Sequence, residues 1–372
     1  MSVTLPAWYR VENVDEIASP ALLVYPDRIK ANIQRMLALT GGAARLFPHV
    51  KTHKMAEVVR FQQAAGIDKF KCATIAEAEM VAGCGAARVL LAYQPVGPNI
   101  ARFLELMARF PQTKFAAIVD DAATLRVIAD AAKARGVTVE LLLDIDCGMR
   151  RTGIPPSAAA AVVYRLLASL PGVTPGGLHA YDGHIRDQDP QVRRSVVQAA
   201  MQPVRALRRQ MQEAGLAVPR IVAGGTPTFP IHARESDVEC SPGTCLLWDC
   251  SYTAMLPDLG FLNAAVVLTR VISKPGANRL CLDLGHKAIA SENPHPRVQL
   301  LDLPDAVAVG HSEEHLVVET PRATEFNVGD ALYGIPRHIC PTVALHASVI
   351  VVNSRRADGR WKVAARDRVL TI

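Results

Sequence analysis

The stretch Arg45 to Lys54, R-L-F-P-H-V-K-T-H-K, is an apolar run that stops abruptly in histidines and lysines, groups that move protons and attack carbonyls. Ala43 to Val50 has the length of a strand buried on both faces, and Met55 onward turns helical, so His49, Lys51 and His53 sit where strand gives way to helix. In an α/β barrel that junction is the catalytic end. A lysine there, its stem packed among barrel side chains, is favoured as the neutral amine that condenses with an aldehyde. Lys51 is therefore a candidate Schiff-base lysine, and a solvated pair of lysines opening a helix, Lys51 with Lys54, is the plainer alternative.

Four further constellations fall at expected strand ends. Asp144 to Gly153, D-I-D-C-G-M-R-R-T-G, stops a buried strand in a glycine turn with two arginines, of which Arg151 can project over a barrel mouth and Arg150 suits a surface ion pair. Gly177 to His184, G-L-H-A-Y-D-G-H, ends a strand in His179, Tyr181 and His184. In A-G-G-T-P-T at Ala223 to Thr228 and S-P-G-T at Ser241 to Thr244, glycines let backbone N–H groups approach an anion and threonines add donors. These two loops follow the seventh and eighth strands, where barrels of this kind hold phosphate. Pro336 to Thr342, P-R-H-I-C-P-T, places His338 and Cys340 two apart, so an extended chain would face both one way as ligands for zinc or a similar divalent metal.

The elements that must position these groups alternate with some regularity. Strands are expected at Lys69 to Ala73, Arg88 to Ala92, Lys114 to Val119, Thr138 to Ile145, Gly177 to Tyr181, Arg220 to Ala223 and Glu239 to Leu247, with helical patterns between most of them. With Ala43 to Val50 that makes eight, the count of an α/β (β/α)8 TIM barrel, and a doubly wound sheet is the alternative. After Asp249 short strands follow one another without helices, which predicts a second, smaller all-β C-terminal domain. The expected division is 19–255 for the barrel and 256–372 for the β-rich part with the metal motif, residues 1–18 packing with it.

Composition narrows the function classes. In 372 residues, half are hydrophobic and 20% are charged, enough for a large core, and the net charge of +6 comes without a basic block, so no nucleic acid is implied. No apolar run reaches the roughly 20 residues of a membrane span. Eight scattered cysteines, with no CxxC pair and no leader pattern before them, are expected as thiols in the cytoplasm.

Taken together, P-H-V-K-T-H-K, D-x-D-C-G-M-x-R-x-G, H-A-Y-D-G-H, G-G-T-P-T, E-C-S-P-G-T, S-E-E-H at Ser312 to His315 and P-R-H-I-C-P-T resemble the D-threonine aldolase and eukaryotic-type D-serine dehydratase family. These are fold-type III pyridoxal-phosphate enzymes with an alanine racemase-like barrel, and the resemblance runs from about Ser19 to the C-terminus. It implies pyridoxal 5'-phosphate on Lys51, with Arg151 near the pyridine nitrogen, Tyr181 beside the ring, and Gly225, Thr226, Gly243 and Thr244 at the phosphate. It further implies His338 and Cys340 as ligands of a divalent metal, manganese or zinc or else magnesium, and His184 near the substrate hydroxyl as the second catalytic residue. The implied substrate is a small D-3-hydroxy amino acid and the implied assembly a homodimer. Retro-aldol cleavage of D-threonine is the favoured reaction, with dehydration of D-serine or D-threo-3-hydroxyaspartate as the alternative. An amino-acid racemase or a non-catalytic cofactor-binding protein fits less well.

Overall fold

The computed structural model describes residues 7–372, so Met1 to Pro6 of the N-terminal segment lie outside it. The chain divides into two compact units. One is built from 34–51, 58–243 and 367–372, the other from 1–33, 52–57 and 244–366.

The first unit holds seven parallel strands in chain order, Lys69–Cys72, Arg88–Leu91, Lys114–Val119, Val139–Ile145, Val173–Ala180, Ile221–Ala223 and Val238–Cys240. The expected eighth stave is present only as a bridging segment. Phe47 N–H donates to Cys240 O at 2.8 Å and Lys71 N–H to Pro48 O at 2.9 Å, so Arg45 to His49 links the last strand to the first. Pro48 supplies no N–H, which interrupts the ladder there. The result is a TIM-like parallel sheet curled around Phe47, Leu90, Ala116, Ile118, Leu142 and Val222. Helices start where caps are available: Thr74 accepts from Glu77 N–H, Asp121 from Thr124 N–H, and Asp189 from Gln191 and Val192 N–H. Pro190 follows Asp189 at the first helical position, where its missing donor costs nothing.

Charge closes the end of this sheet opposite the strand C-termini. Glu140 accepts from Arg88 at 2.8 Å and also pairs with Arg220, while Lys69 meets Glu239 at 2.7 Å, all roughly four-fifths buried.

The second unit carries a mixed nine-stranded sheet among the described residues. Its long strand Ala265–Gly276 pairs with Ala21–Val24, Arg279–Leu282 and Ala331–Pro336 along different parts of its length. Ala21–Val24 also runs parallel to Ser348–Asn353, so this stretch, which falls within the 19–255 segment expected for the barrel, belongs to the mixed sheet. Val298–Leu300, which has no sequence expectation, pairs with Ala331–Pro336. The core joins Val11, Ile17, Leu23, Tyr25, Val266, Leu268, Tyr333 and Ile350, with Trp8, Tyr9 and Val14 against it, so residues 8–17 pack into this unit. No helix among the described residues is long and apolar enough to cross a membrane.

The arginine–glutamate belt generates a stability prediction. Glu140→Ala strands two guanidinium groups in a mostly desolvated belt and should cost about 2–4 kcal/mol in thermal or urea unfolding. A loss below about 0.5 kcal/mol would instead describe solvated surface pairs.

Candidate active site

In the first unit, side chains at the C-terminal strand ends enclose a cavity of about 590 Å³. It is lined by Lys51, Lys71, Asp120, Asp144, Arg151, His179 and Tyr181 among others. Lys51 lies in the single 3-10 turn Val50–Thr52 rather than at a helix start, and its N–H donates to His49 Nδ1 at 3.3 Å. The Tyr181 ring is surrounded by cations, with Lys51 Nζ at 5.6 Å, Lys71 Nζ at 5.5 Å and the Arg151 guanidinium at 4.9 Å from its centroid.

Beneath these groups lies a buried polar layer. His179 Nδ1 is 2.6 Å from Asp144 Oδ1, and Thr152 Oγ1 donates to Asp144 Oδ2 at 2.8 Å. Burial holds His179 below its usual value, so the ring is neutral with its Nδ1–H on Asp144. Burial opposes ionisation of Asp144, yet the contacts with His179 and Thr152 together hold its carboxyl below the usual range. That leaves His179 Nε2 as a buried lone pair with no partner among the described residues. Burial and the neighbouring Lys51 charge pull Lys71 down to about 7.

Around the glycine turns, fully buried Asp182 accepts from Thr228 Oγ1 at 2.7 Å, Gly225 N–H at 3.1 Å and His232 Nε2 at 2.7 Å. The Gly225 N–H is shared between Asp182 Oδ1 at 3.1 Å and Thr228 Oγ1 at 3.2 Å, contacts that hold the turn. A Cβ at Gly225 would stand 3.2 Å from the Tyr181 ring, a tight contact, so the ring packs closely over this glycine. Thr226 and Gly243 do come together: Gly243 N–H donates to Thr226 Oγ1 at 3.3 Å. His184 is exposed and does not line the cavity; its imidazole packs over Gly148, where a Cβ would be 2.8 Å from Nε2.

The second unit contains the His338 and Cys340 pair. The extended conformation expected for them is not found: His338 precedes the helix Ile339–Leu345 as its N-terminal cap residue, and Cys340 lies in the first turn, where Pro341 is tolerated. The two side chains nevertheless favour each other's charged forms. Burial works against the charge on His338, but Cys340 and Glu292 raise it to about 9. Burial likewise opposes the thiolate, and His338 with the Thr52 and Thr244 hydroxyls lowers Cys340 overall. Glu292 Oε1 is 2.5 Å from His338 Nδ1, which leaves Nε2 for a metal in the carboxylate–histidine arrangement common at such sites. Thr244 is buried here at 3.5 Å from Cys340 Sγ, and Thr52 Oγ1 at 3.1 Å. His53 is also in this unit, accepting from Met55 N–H at 3.1 Å. No group of three or more His, Cys, Asp or Glu able to hold an ion occurs among the described residues, so further ligands would be water or substrate oxygen.

Lys71, Asp144 and His232 escaped attention as site residues in the sequence. Lys71 sits on a strand reading K-F-K-C, where the period of two puts it inward, a signal that could have found it.

Residues 24–249 match the alanine racemase N-terminal domain, and 264–352 the putative serine dehydratase domain. The chain belongs to the alanine racemase N-terminal domain family. Over 356 residues, 94% of this chain and 93% of the relative, it is 28% identical to a D-threonine aldolase of Arthrobacter sp. It is 26% identical over 355 residues to the D-threo-3-hydroxyaspartate dehydratase of Delftia sp. (strain HT23), covering 88% of this chain and 92% of that one. The crystal structure of D-threonine aldolase from Filomicrobium marinum superposes with a TM-score of 0.89 at 25% identity, covering 95% and 97% of the two chains. The protein is thus a member of the pyridoxal-phosphate lyases built on the alanine racemase-like fold.

Asp182 carries the testable consequence of this layer. Burial opposes its charge, and His232, Thr228 and Gly225 together hold its carboxyl below the usual range. The stability this confers is present above pH ~4 and lost as pH falls through the lower folded-state value. Asp182→Ala should already lack it at neutral pH, at a cost of about 3–5 kcal/mol. Equal thermal stability of variant and wild type at pH 7 would exclude Asp182 as the anchor of the glycine turn.

Proposed function

We propose that the protein is a pyridoxal-phosphate- and divalent-metal-dependent lyase of D-3-hydroxy amino acids, acting as a D-threonine aldolase. The observation that carries this reading is the cavity itself, where Lys51 stands among cations around the Tyr181 ring above an unpartnered His179 nitrogen. A cavity of about 590 Å³ suits a cofactor with a small substrate. Its cations suit a phosphate and a carboxylate, and its orphaned imidazole nitrogen awaits a partner.

Lys51 would carry the cofactor, which when bound supplies an electron sink for charge left at Cα. Arg151, at 4.9 Å from the Tyr181 ring, would keep a positive charge at the cofactor's edge, and Tyr181 would support the ring. The Asp144–His179 pair presents a neutral imidazole from below. Thr226 and Gly243 would approach the phosphate, and Thr244 continues that loop in sequence. His338 and Cys340 offer one nitrogen and one sulfur to a metal of zinc type, with Glu292 orienting the histidine; such an ion supplies a Lewis acid. His184 remains a candidate for proton transfer at the substrate hydroxyl. Eight cysteines, none in a disulfide among the described residues, support a reducing, cytoplasmic setting, and a homodimer belongs to the same reading.

The alternative of dehydration is favoured by Cys340, a soft ligand suited to zinc. Purified protein with pyridoxal phosphate, manganese or zinc, and D-threonine should release glycine and acetaldehyde. 2-Oxobutanoate with ammonia would make it a dehydratase, and neither product, with D-serine and D-3-hydroxyaspartate also inert, would defeat the lyase reading. Borohydride trapping followed by peptide mapping should place the pyridoxyl group on Lys51, and Lys51→Ala should lower turnover by at least about 10³-fold.

A separate prediction concerns the metal. His338→Ala and Cys340→Ala should each reduce metal content, read by elemental analysis, and reduce turnover about 10- to 100-fold or more at limiting metal. Full activity after exhaustive chelation would exclude the metal role.

A further inference from the structure

Lys71 lies in the strand Lys69–Cys72, fully buried, with its side chain directed into the cavity. An ammonium carries three donors. One goes to Ser241 Oγ at 2.5 Å, and among the described residues the other two have no protein acceptor. Ser241 in turn donates to Gly224 O at 2.9 Å, with Ala223 O at 3.3 Å. A single side chain thus ties the turn at 224–226 to the turn at 241–243.

Such a residue is costly as mere filling. Taking an ammonium out of water with one hydrogen bond is unfavourable, and an apolar side chain of similar length would suit the barrel better. What recovers the cost is an anion. We propose that Lys71 is a positioning residue of the cofactor site, which fixes the two glycine turns through Ser241 and fixes a positive charge beside them, so that the site takes a phosphate ester in preference to the unphosphorylated aldehyde. The inference rests on the pyridoxal-phosphate reading of the cavity and deepens it.

The charge environment supports this. Lys71 faces Lys51 and Arg151, which disfavour its proton, and Asp144 and Asp182, which favour it, with His179 also adjacent. A lysine drawn down to about 7 is only partly charged in the free protein near neutral pH. A phosphate dianion brought beside it raises it again, so binding takes up a proton above pH ~7, and on this account affinity falls as pH rises. Condensation with Lys51 is common to aldehydes with and without phosphate, so the difference between the two ligands reports on the phosphate alone.

The test is equilibrium binding of pyridoxal phosphate and of pyridoxal to apo wild type, Lys71→Met and Ser241→Ala, followed by absorbance from pH 6 to 9, with thermal unfolding of each apo protein. Lys71→Met should bind pyridoxal phosphate about 10- to 100-fold more weakly and pyridoxal within about 2-fold of wild type. It should also flatten the extra pH dependence of the phosphorylated ligand, while its apo form unfolds at a temperature no lower than wild type. Ser241→Ala, which leaves the ammonium in place, should show a smaller loss in the same direction and provides the readout if Lys71→Met does not fold. An unchanged preference for the phosphorylated ligand in both variants overturns the inference while the cofactor reading stands. Failure of wild type to bind pyridoxal phosphate overturns both.

Discussion

Charge buried at the mouth of an apolar barrel is the constraint on which the site depends. Lysine, arginine, aspartate and histidine side chains stand over a core of Phe47, Leu90, Ile118, Leu142 and Val222, where an unpaired ion is expensive. Each carboxylate there is satisfied: Asp144 by His179 and Thr152, and Asp182 by His232, Thr228 and the Gly225 amide. Asp120 accepts from the Gly153 N–H at 2.9 Å, and among the described residues the Lys71 ammonium and the His179 Nε2 keep spare capacity. An excess of donors of this kind is complementary to an anion.

Glycine takes its place in this economy of space rather than as a source of free amides. Gly225 lies against the Tyr181 ring and Gly148 against the His184 ring, where a Cβ would stand 3.2 Å and 2.8 Å from the nearest ring atoms. Gly177, at φ +109, would drive a Cβ into the Arg220 carbonyl and lets its strand pass the next one closely. The positions that look like an anion cradle in sequence therefore divide between packing and recognition.

The second unit solves a related problem with fewer groups. His338 and Cys340 stabilise each other's charged forms despite burial, and Glu292 with two threonine hydroxyls completes the set.

Much of this was legible before any coordinates. The parallel sheet follows from buried runs such as K-F-A-A-I-V at Lys114–Val119 and E-L-L-L-D-I within Val139–Ile145, separated by helices with polar caps, and the run of short strands after Asp249 separates the β-rich part. Lys51, Arg151 and Tyr181 stand out in sequence as polar residues ending apolar runs, and all three line one cavity; His338 and Cys340 stand out by their spacing of two. Other features depend on partners far away in sequence. Ala21–Val24 reads as any buried strand, and only its pairing with Ala265–Gly276 and Ser348–Asn353 assigns it to the mixed sheet. Lys71 and Ser241 are 170 residues apart, and Asp182 and His232 are 50 apart. Local sequence determined the strands, the helices and the chemical type of each strand end, because hydrophobic period and capping act over a few residues. Which charges are paired and which stay open for a ligand was decided by the tertiary structure, because desolvation and ion pairing depend on what the fold brings within a few ångströms.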